Sequence, residues 1–540
     1  MSESKKPPLP TASGAVSGSS VSDGQTAGSA QPVTTGISRK GLSVGTVGVL
    51  GALVMGISCI APAYTYTAGI GGAVGAVGFQ VPAILLLGFI PMLLVAFGYR
   101  ELNRAMPDSG TSFTWATRAF GPYVGWMAGW GLIVATILVL SNLAGIAVDF
   151  LFLLISQISG NEAIAEITRN PFVNVGVCLL FVALAAWVSY RDVSTSQKLQ
   201  YGLVAFQIVI LVLFAVMAIV QSVQGDAFEP HLPELAWFNP FEIQGGLSMI
   251  VMGLSASVFM FWGWDVTLTM NEEAKDPERT PGRAAMLTVL SIIAIYLLLT
   301  VSSLMYSGIG DEGLGLMNED IGGNVFFALS GPVMGGLAFL LSLAVLTSSA
   351  SSLQSTFISP ARTLLAMGHY GAVPRRFAGV SPRFFTPGFA TIASAVVAGG
   401  FYAVMRFLSE DALWDTILAL GMMICFYYGI TALSCVWYFR HQWFDSGKDF
   451  FFKLASPLVG GVILLVLFVI TAVDSLAPDY GSIAIGADAD GEGGIGIVFF
   501  IGVGLLVFGA VLMLIQRMVN PAFFRGTILS IDAPPSARRR

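Results

Sequence analysis

Charged residues are scarce in this chain. Lys, Arg, Asp and Glu make up 11% of its 540 residues, whereas soluble domains carry about 25%. Hydrophobic residues reach 55% and the mean hydropathy is +0.78. So few charges cannot cover the surface of a soluble protein of this length, which excludes a soluble enzyme. The net charge of −6 argues against nucleic-acid binding. The composition therefore predicts a polytopic membrane protein.

Cysteine and histidine are also scarce. The four cysteines lie inside apolar stretches without CxxC spacing, and the three histidines are far apart in the sequence. This pattern excludes a disulfide-rich scaffold and contains no metal-binding motif, so we expect no metal and no cofactor. The phosphate-binding pattern G-x-x-x-x-G-K-[ST] does not occur either, so ATP is not expected to be the direct energy source.

Long apolar runs dominate the rest of the sequence. Twelve of them approach the ~20 residues that a helix needs to cross a bilayer. They cover 43–68, 81–101, 121–155, 171–190, 199–222, 246–270, 284–307, 332–358, 387–408, 411–438, 455–475 and 495–516. The predicted organisation is a disordered tail (1–38), a first five-helix repeat (39–223), a second five-helix repeat (245–438), two further helices (455–516) and a basic tail (517–540).

The basic residues test this count of spans. With the N-terminus in the cytoplasm, 24 of the 26 Lys and Arg residues fall in the tails and loops on the cytoplasmic side. Only Arg169 and Arg406 fall outside. Cytoplasmic loops of membrane proteins carry such an excess. The pattern predicts a multi-pass protein of the cell membrane with both termini in the cytoplasm.

A weak internal repeat relates the two halves. Gly121-Pro122 opens the third run, and Gly331-Pro332 is expected to open the eighth, 210 residues later. Five spans separate them, and because five is odd the two halves would insert with opposite orientation, as in inverted-repeat transporters. The alternative is that Gly-Pro is simply a common start of a helix.

The first run contains a helix-breaking residue near its middle. Pro62 removes one backbone donor and clashes with the preceding turn, which frees carbonyl groups inside the membrane. Such groups are tolerated only beside protein, water or a ligand. The neighbours Ala61 and Ala63 are small, so a ligand could reach the backbone. A packing kink is the alternative interpretation.

The sixth run contains a second break and a charge. Gly263 is the predicted break, and Asp265 is an ionisable residue in an otherwise apolar segment, where such groups usually face a cavity or a partner. The alternative places Asp265 near the cytoplasmic end, solvated or bonded to a neighbouring helix. Breaks in corresponding spans of two halves indicate a binding site near the bilayer midplane. Exposed helix N-termini favour a carboxylate and exposed carbonyls accept an ammonium, so a zwitterionic amino acid fits.

Three motifs resemble those of amino acid–polyamine–organocation permeases, in the amino acid permease branch. The run from Phe259 to Arg283, FMFWGWDVTLTMNEEAKDPERTPGR, is similar to the family's sixth-helix signature. Tyr99-Arg100-Glu101-Leu102 resembles the start of its second loop, and Ser359-Pro360-Ala361-Arg362 the segment that follows its eighth helix. The resemblance implies an all-α fold of about twelve transmembrane helices. Five plus five of them form an inverted repeat with broken helices 1 and 6, and two additional helices follow.

The resemblance also implies site residues. Substrate binding is expected at the two breaks: Ser58, Ile60, Ala61, Pro62 and Ala63 in the first helix, and Phe259, Trp262 and Gly263 in the sixth. Phe259 matches the family's aromatic gate, and Trp262 lies where a side-chain contact would be. Asp265 stands where most members have Glu.

The fifth helix bears on ion coupling. Some proton-coupled members of the family carry a lysine inside this helix, and its position corresponds here to Gln207. Glutamine cannot titrate, but it can bond carbonyls freed in the first helix. If transport is driven by protons, Asp265 is the remaining candidate inside the spans.

The resulting expectation is a secondary active transporter that moves neutral or cationic amino acids, or related amines, by alternating access. The alternatives are a polyamine or amine exchanger of the same fold, an integral-membrane enzyme, or a channel. The expected partners are a small-molecule substrate, a proton as the candidate coupling ion, and the lipid bilayer. The sequence leaves the oligomeric state open.

Overall fold

The computed structural model of the chain consists almost entirely of helices. It describes Ser38 and residues 40–191, 193–408, 412–486 and 493–529. Except for Ser38, the tail predicted over 1–38 lies outside these residues, as does the predicted basic tail from residue 530 onwards. The polar patch Ser409-Glu410-Asp411, predicted to divide the ninth and tenth runs, also lies outside them.

We number the membrane-spanning helices 1 to 12 in chain order and divide helices 1 and 6 into halves a and b. They are 1a (Val49–Ile60), 1b (Pro62–Val77), 2 (Val81–Ala105), 3 (Pro122–Ser159), 4 (Pro171–Ser189), 5 (Val193–Gln224), 6a (Gly246–Met260), 6b (Val266–Thr269), 7 (Thr280–Ser307), 8 (Ala338–Thr356, continued by Ile358–His369), 9 (Gly388–Leu408), 10 (Ala412–Tyr438), 11 (Ser456–Asp474) and 12 (Leu505–Val519). Short helices lie at Gly78–Gln80, Ser112–Phe120, Glu162–Arg169, Leu235–Phe238, Pro240–Glu242, Asn271–Glu273, Glu319–Gly322, Val325–Met334, Gly335–Leu337, Arg375–Ala378, Gly447–Asp449, Phe450–Ala455, Ile497–Phe499, Phe500–Gly504 and Pro521–Phe524. Two short strands, Ala484–Ile485 and Ile495–Gly496, pair antiparallel between helices 11 and 12.

The prediction of about twelve transmembrane helices is confirmed. Within the described residues, ten stretches are long and apolar enough to cross a membrane, and one of them, Val49–Ala105, contains both helix 1 and helix 2. The shorter apolar helix Gly246–Met260 completes the set. Helix 1 extends to Val77, beyond the predicted end at 68, and Gly69, Gly71 and Gly72 of its second half pack against neighbours instead of ending the helix.

The Gly-Pro pairs that suggested the repeat do not occupy equivalent positions. Gly121 caps helix 3 and Pro122 opens it, as predicted. Pro332, however, lies inside the short helix Val325–Met334, and helix 8 begins only at Ala338. The prediction that Gly331-Pro332 opens helix 8 is therefore wrong. Gly335, whose φ of 55° favours glycine, ends the short helix and separates it from helix 8.

Helices 1 and 6 lie at the centre of the bundle. Helix 1b packs along helix 6a, helix 1a contacts helices 5, 7 and 8, and helix 10 packs against helices 3, 6a and 11. Small residues permit close approach, as is usual between membrane helices. A Cβ added to Gly421 of helix 10 would lie 3.1 Å from the carbonyl oxygen of Ser255 in helix 6a.

An ionic cluster ties the segment before helix 1 to one end of the bundle. This end, which we call the basic end, carries Lys40, Arg104, Arg376 and Arg440. The ammonium group of Lys40 lies 2.8 Å from Asp108 and 2.7 Å from Glu272. Its side chain is 3% exposed, so the cluster is largely shielded from solvent.

Further bonds hold the same segment in place. The backbone N–H groups of Thr46 and Val47 both donate to the carbonyl oxygen of Glu273, at 2.9 and 3.0 Å. The Glu273 carboxylate accepts two hydrogen bonds from the guanidinium group of Arg362 in helix 8, at 2.6 and 2.8 Å. Glu272 and Glu273 are thus both engaged in structural ion pairs.

The cluster makes one carboxyl group strongly acidic. Burial opposes the charged form of Asp108, but the Lys40 ammonium, the Tyr370 hydroxyl and the Gly110 amide outweigh it and lower the pKa of Asp108 to about 2. The carboxylates of Asp108 and Glu272 raise the pKa of Lys40, although burial of the ammonium group opposes this shift. A carboxyl group with a depressed pKa stabilises the fold fully above its ordinary pKa of about 4 and loses this contribution as the pH falls towards 2.

We expect Asp108→Asn to lower the stability of the protein at pH 7 by about 2 kcal/mol, the equivalent of the pKa shift. Between pH 4 and pH 2.5 the difference from the unmodified protein should shrink, because the carboxyl group of the unfolded chain takes up a proton there while the native one stays largely ionised. Thermal melting of the purified protein in detergent measures both effects. Asp311→Asn removes an exposed carboxylate and is the matched control. A constant difference between the two proteins across this pH range would contradict the assignment.

Candidate functional site

The break in helix 1 is a single residue. Ala61 has φ 55° and ψ 65°, is fully buried, and separates helix 1a from Pro62, the first residue of helix 1b. A left-handed residue other than glycine costs about 1–2 kcal/mol and persists only where its surroundings impose it. The proline explains the position of the break, because it cannot donate to the carbonyl of Ser58 and restricts the conformation of the residue before it.

The break in helix 6 is longer and contacts the break in helix 1. Helix 6a ends at Met260, and the turn that follows contains Gly263 with φ 115°. A Cβ added to Gly263 would lie 3.1 Å from the backbone nitrogen of Ile60 and 3.2 Å from the carbonyl carbon of Cys59. The two interruptions therefore meet backbone to backbone. We call residues 60–62 and 261–265 together the paired breaks.

Hydroxyl groups from other helices bond the carbonyls around the paired breaks. Ser352 of helix 8 donates to the carbonyl oxygen of Cys59 at 2.7 Å. Tyr296 of helix 7 donates to the carbonyl oxygen of Met260 at 2.8 Å. These bonds replace helical bonds lost at the breaks, as a membrane interior requires.

The predicted gate residue Phe259 lies beside the paired breaks. Its ring is 2% exposed and contacts the Tyr64 ring of helix 1b edge to face, with centroids 6.3 Å apart. Among the described residues, the Tyr64 hydroxyl has no hydrogen-bond partner. Ala63 is fully buried in the same half-helix. The two aromatic rings thus fill the space between helices 1b and 6a.

Asp265 points into a cluster of aromatic side chains. It is 2% exposed and accepts hydrogen bonds from the hydroxyls of Tyr428 at 2.9 Å and Tyr427 at 3.1 Å. The Trp262 indole donates to the Tyr427 hydroxyl at 2.7 Å. In the described part of the chain, Asp265 forms no ion pair. A carboxylate held by neutral donors can bind a cationic group or a proton.

Tyr427 and Tyr428 belong to helix 10 and were not among the predicted site residues. The signal that could have identified them is the presence of two adjacent hydroxyl groups within an apolar run. A buried carboxylate elsewhere in the membrane needs such donors. The sequence does not indicate which helix packs against helix 6, so this pairing follows only from the tertiary structure.

Gln200 of helix 5 forms a hydrogen bond with helix 1, and Gln207 forms none with the described residues. The Ser58 hydroxyl donates to the Gln200 side-chain oxygen at 2.7 Å. The Gln200 amide donates in turn to the Ser351 carbonyl at 3.0 Å and to the Gln354 side chain at 2.6 Å. Seven residues are about two turns of a helix, so both glutamines lie on one face of helix 5. They differ only in their position along the helix axis, that is, in their depth in the membrane. Gln207 is fully buried, and neither of its amide atoms bonds a described residue; its functional role stays a prediction.

The end of the bundle opposite the basic end is closed around helix 1b. A Cβ on Gly72 would lie 2.1 Å from the ring of Trp414 in helix 10, and one on Gly71 would lie 2.3 Å from the carbonyl oxygen of Gly322. Together with the ionic cluster around Lys40, these contacts cover helix 1 at both ends of the bundle.

The family model for amino acid permeases matches residues 47–485. The chain belongs to the amino acid permease family. Like the rest of its family, this permease is a multi-pass membrane transporter and not an enzyme.

Relatives of the permease include transporters that are named for different substrates. The branched-chain amino acid permease BcaP of Lactococcus lactis subsp. cremoris is 24% identical over 64% of this chain and 72% of its own. The methylthioribose transporter of Bacillus subtilis is 24% identical, over 66% and 74% respectively. The low-affinity putrescine importer PlaP of Escherichia coli is 23% identical, over 78% and 88%.

A solved structure supports the fold of the permease. The crystal structure of MhsT in complex with L-phenylalanine matches with a TM-score of 0.56 at 15% identity, covering 78% of this chain and 98% of that one. The all-α fold with two broken helices, predicted from the sequence, is thereby confirmed.

We expect Gly263→Ala to reduce transport by roughly tenfold, because a Cβ at φ 115° adds about 1–2 kcal/mol of backbone strain and displaces helix 1. Initial uptake rates in proteoliposomes measure the effect, after size-exclusion chromatography has established that the variant folds. Gly75→Ala in helix 1b is the control, since a Cβ there meets no atom within 4 Å. Equal uptake by both variants would contradict the backbone contact.

Proposed function

We propose that this permease carries a neutral or cationic amino acid, or a related amine, across the cell membrane by alternating access, with both termini in the cytoplasm. The observation that carries the proposal is the contact between the paired breaks, at Ile60 and Gly263. Backbone groups of two interrupted helices converge there inside the membrane, as they do at the binding sites of transporters with broken helices.

The polarity of the breaks suits a zwitterion. The first backbone N–H groups of helix 1b, which begins at Pro62, have no acceptor within the helix and favour a carboxylate. The end of helix 6a presents carbonyl groups, which favour an ammonium. Predicted binding residues from Ser58 to Ala63 and from Phe259 to Gly263 surround this position, and we retain them as the proposed site.

The charge around the breaks favours neutral or cationic substrates. No ion pair among the described residues involves positions 57–65 or 257–265. Asp265 is thus a buried carboxylate without a cationic partner in the described structure. A second carboxylate on a substrate would meet this anion and no fixed cation, which is unfavourable in a membrane interior.

The substrates for which the relatives are named agree with a neutral or cationic substrate but do not identify one. BcaP is named for branched-chain amino acids and PlaP for putrescine. Because putrescine lacks a carboxylate, an amine exchanger remains the second candidate function. The unpaired carboxylate of Asp265 favours it, since an anion beside the breaks could bind an ammonium group directly.

We expect uptake of a radiolabelled neutral or cationic substrate into proteoliposomes to saturate with concentration. Leucine, lysine or putrescine should compete, and glutamate and aspartate should not. The panel uses one labelled compound at a time against a hundredfold excess of each competitor. Preferential transport of glutamate would overturn the charge argument, and the failure of every amino acid and amine to compete would overturn the proposed function. Labelled efflux that requires external substrate would identify exchange.

We propose Asp265 as the group that couples transport to protons. Asp265→Asn should abolish any dependence of net uptake on pH, because an amide cannot take up the proton. Tyr428→Phe keeps the carboxylate but removes one donor, so it should move the midpoint of the pH profile without flattening it. Gln207→Ala should impair transport and leave the profile unchanged. An intact profile in Asp265→Asn would exclude this carboxylate and favour exchange or another ion.

A further inference from the structure

A cavity lies away from the paired breaks, between helices 3, 8, 9 and 12. Its volume is about 260 Å³, and its wall includes Ile137, Leu364, Val397 and Phe508. The wall is apolar except for the hydroxyl of Ser394 and the indole of Trp130, whose N–H already donates to the Leu505 carbonyl at 2.9 Å. Apolar cavities of this kind do not hold water.

The cavity opens sideways, towards the acyl chains of the bilayer. Val397 and Phe508 both line it, yet their side chains are 56% and 52% exposed. Helix 9 begins at Gly388, and the wall runs along it from Ala393 to Phe401. At 1.5 Å per residue the wall covers about 12 Å of helix 9, across the middle of the helix.

Arginine residues lie at the basic end of the cavity. Phe377 lines the cavity and directly follows Arg375 and Arg376, which are both exposed. The Arg376 guanidinium lies 5.8 Å from the centroid of the Phe389 ring, and this ring lies 5.0 Å from that of Phe377. The segment 370–387 contains three arginines and no acidic residue. An anion at this rim would therefore find fixed positive charge beside an apolar cavity.

We propose that the cavity binds an acyl chain of an anionic phospholipid, whose headgroup phosphate pairs with Arg375 and Arg376. Basic sites between transmembrane helices on the cytoplasmic side suit anionic headgroups. A narrow apolar cavity that opens to the bilayer suits a single chain. A second copy of the protein is a poorer fit, because its surface would have to cover two exposed arginines.

The test uses the full chain, purified in detergent and stripped of lipid. Thermal melting and native mass spectrometry are recorded with dioleoyl phosphatidylglycerol and with dioleoyl phosphatidylcholine. Phosphatidylglycerol should raise the melting midpoint by several degrees and remain bound in the mass spectrum. Phosphatidylcholine should produce the same rise and the same retention only at a concentration that is higher by about tenfold or more. Equal responses to the two lipids would overturn the proposal.

Variants test the two parts of the site separately. The double variant Arg375→Ala, Arg376→Ala should lose the preference for phosphatidylglycerol, while Arg440→Ala, in the turn that follows helix 10 at the basic end, should keep it. Val397→Trp fills the cavity and should abolish retention of the lipid. Val396→Trp, its 70% exposed neighbour outside the wall, should not.

Two outcomes would contradict the site. One is retention of phosphatidylglycerol by Val397→Trp at the level of the Val396→Trp control. The other is a change of oligomeric state in Val397→Trp with lipid binding intact, which would assign the cavity to contact between copies of the chain. Because Arg375 and Arg376 are exposed, their replacement tests the headgroup contact even if the tryptophan variant does not fold.

Discussion

The structure depends on one constraint: a backbone interrupted inside a membrane must find partners within the protein. Helices 1 and 6 are both interrupted, and each break lies against the other, with Gly263 in contact with the backbone of Ile60. Neighbouring helices provide further donors, such as Ser352 for the carbonyl of Cys59. Helices 5, 7, 8 and 10 therefore place polar side chains around the two breaks. Apolar side chains alone could not satisfy the polar groups there.

The two ends of the bundle are closed by different interactions. At the basic end, Lys40 joins Asp108 and Glu272 in a cluster of charges. At the opposite end, the Trp414 ring packs on Gly72, where no side chain intervenes. In alternating access the ends open in turn, so opening one end breaks a largely buried cluster of charges, whereas opening the other breaks apolar contacts that depend on shape.

The sequence was sufficient for the elements and insufficient for their contacts. Apolar length and loop charge predicted twelve helices, and Pro62 and Gly263 identified both breaks, because these signals are local. Depth within the membrane is not local: Gln200 and Gln207 share a face of helix 5, and only the tertiary packing places Gln200 beside Ser58. The same limit applies to Gly331-Pro332, which has a local sequence suited to opening a helix but lies within a short one.

The tyrosine pair around Asp265 illustrates why a carboxylate inside a membrane needs a specific partner helix. Adjacent residues on a helix point about 100° apart, so Tyr427 and Tyr428 can serve one carboxylate only if it lies between their ring ends. Their ring centroids are 4.5 Å apart, and each hydroxyl reaches a different oxygen of Asp265. A longer Glu side chain would carry its carboxyl group past this position. The short side chain of Asp265 thus fits between the two tyrosine hydroxyls of helix 10.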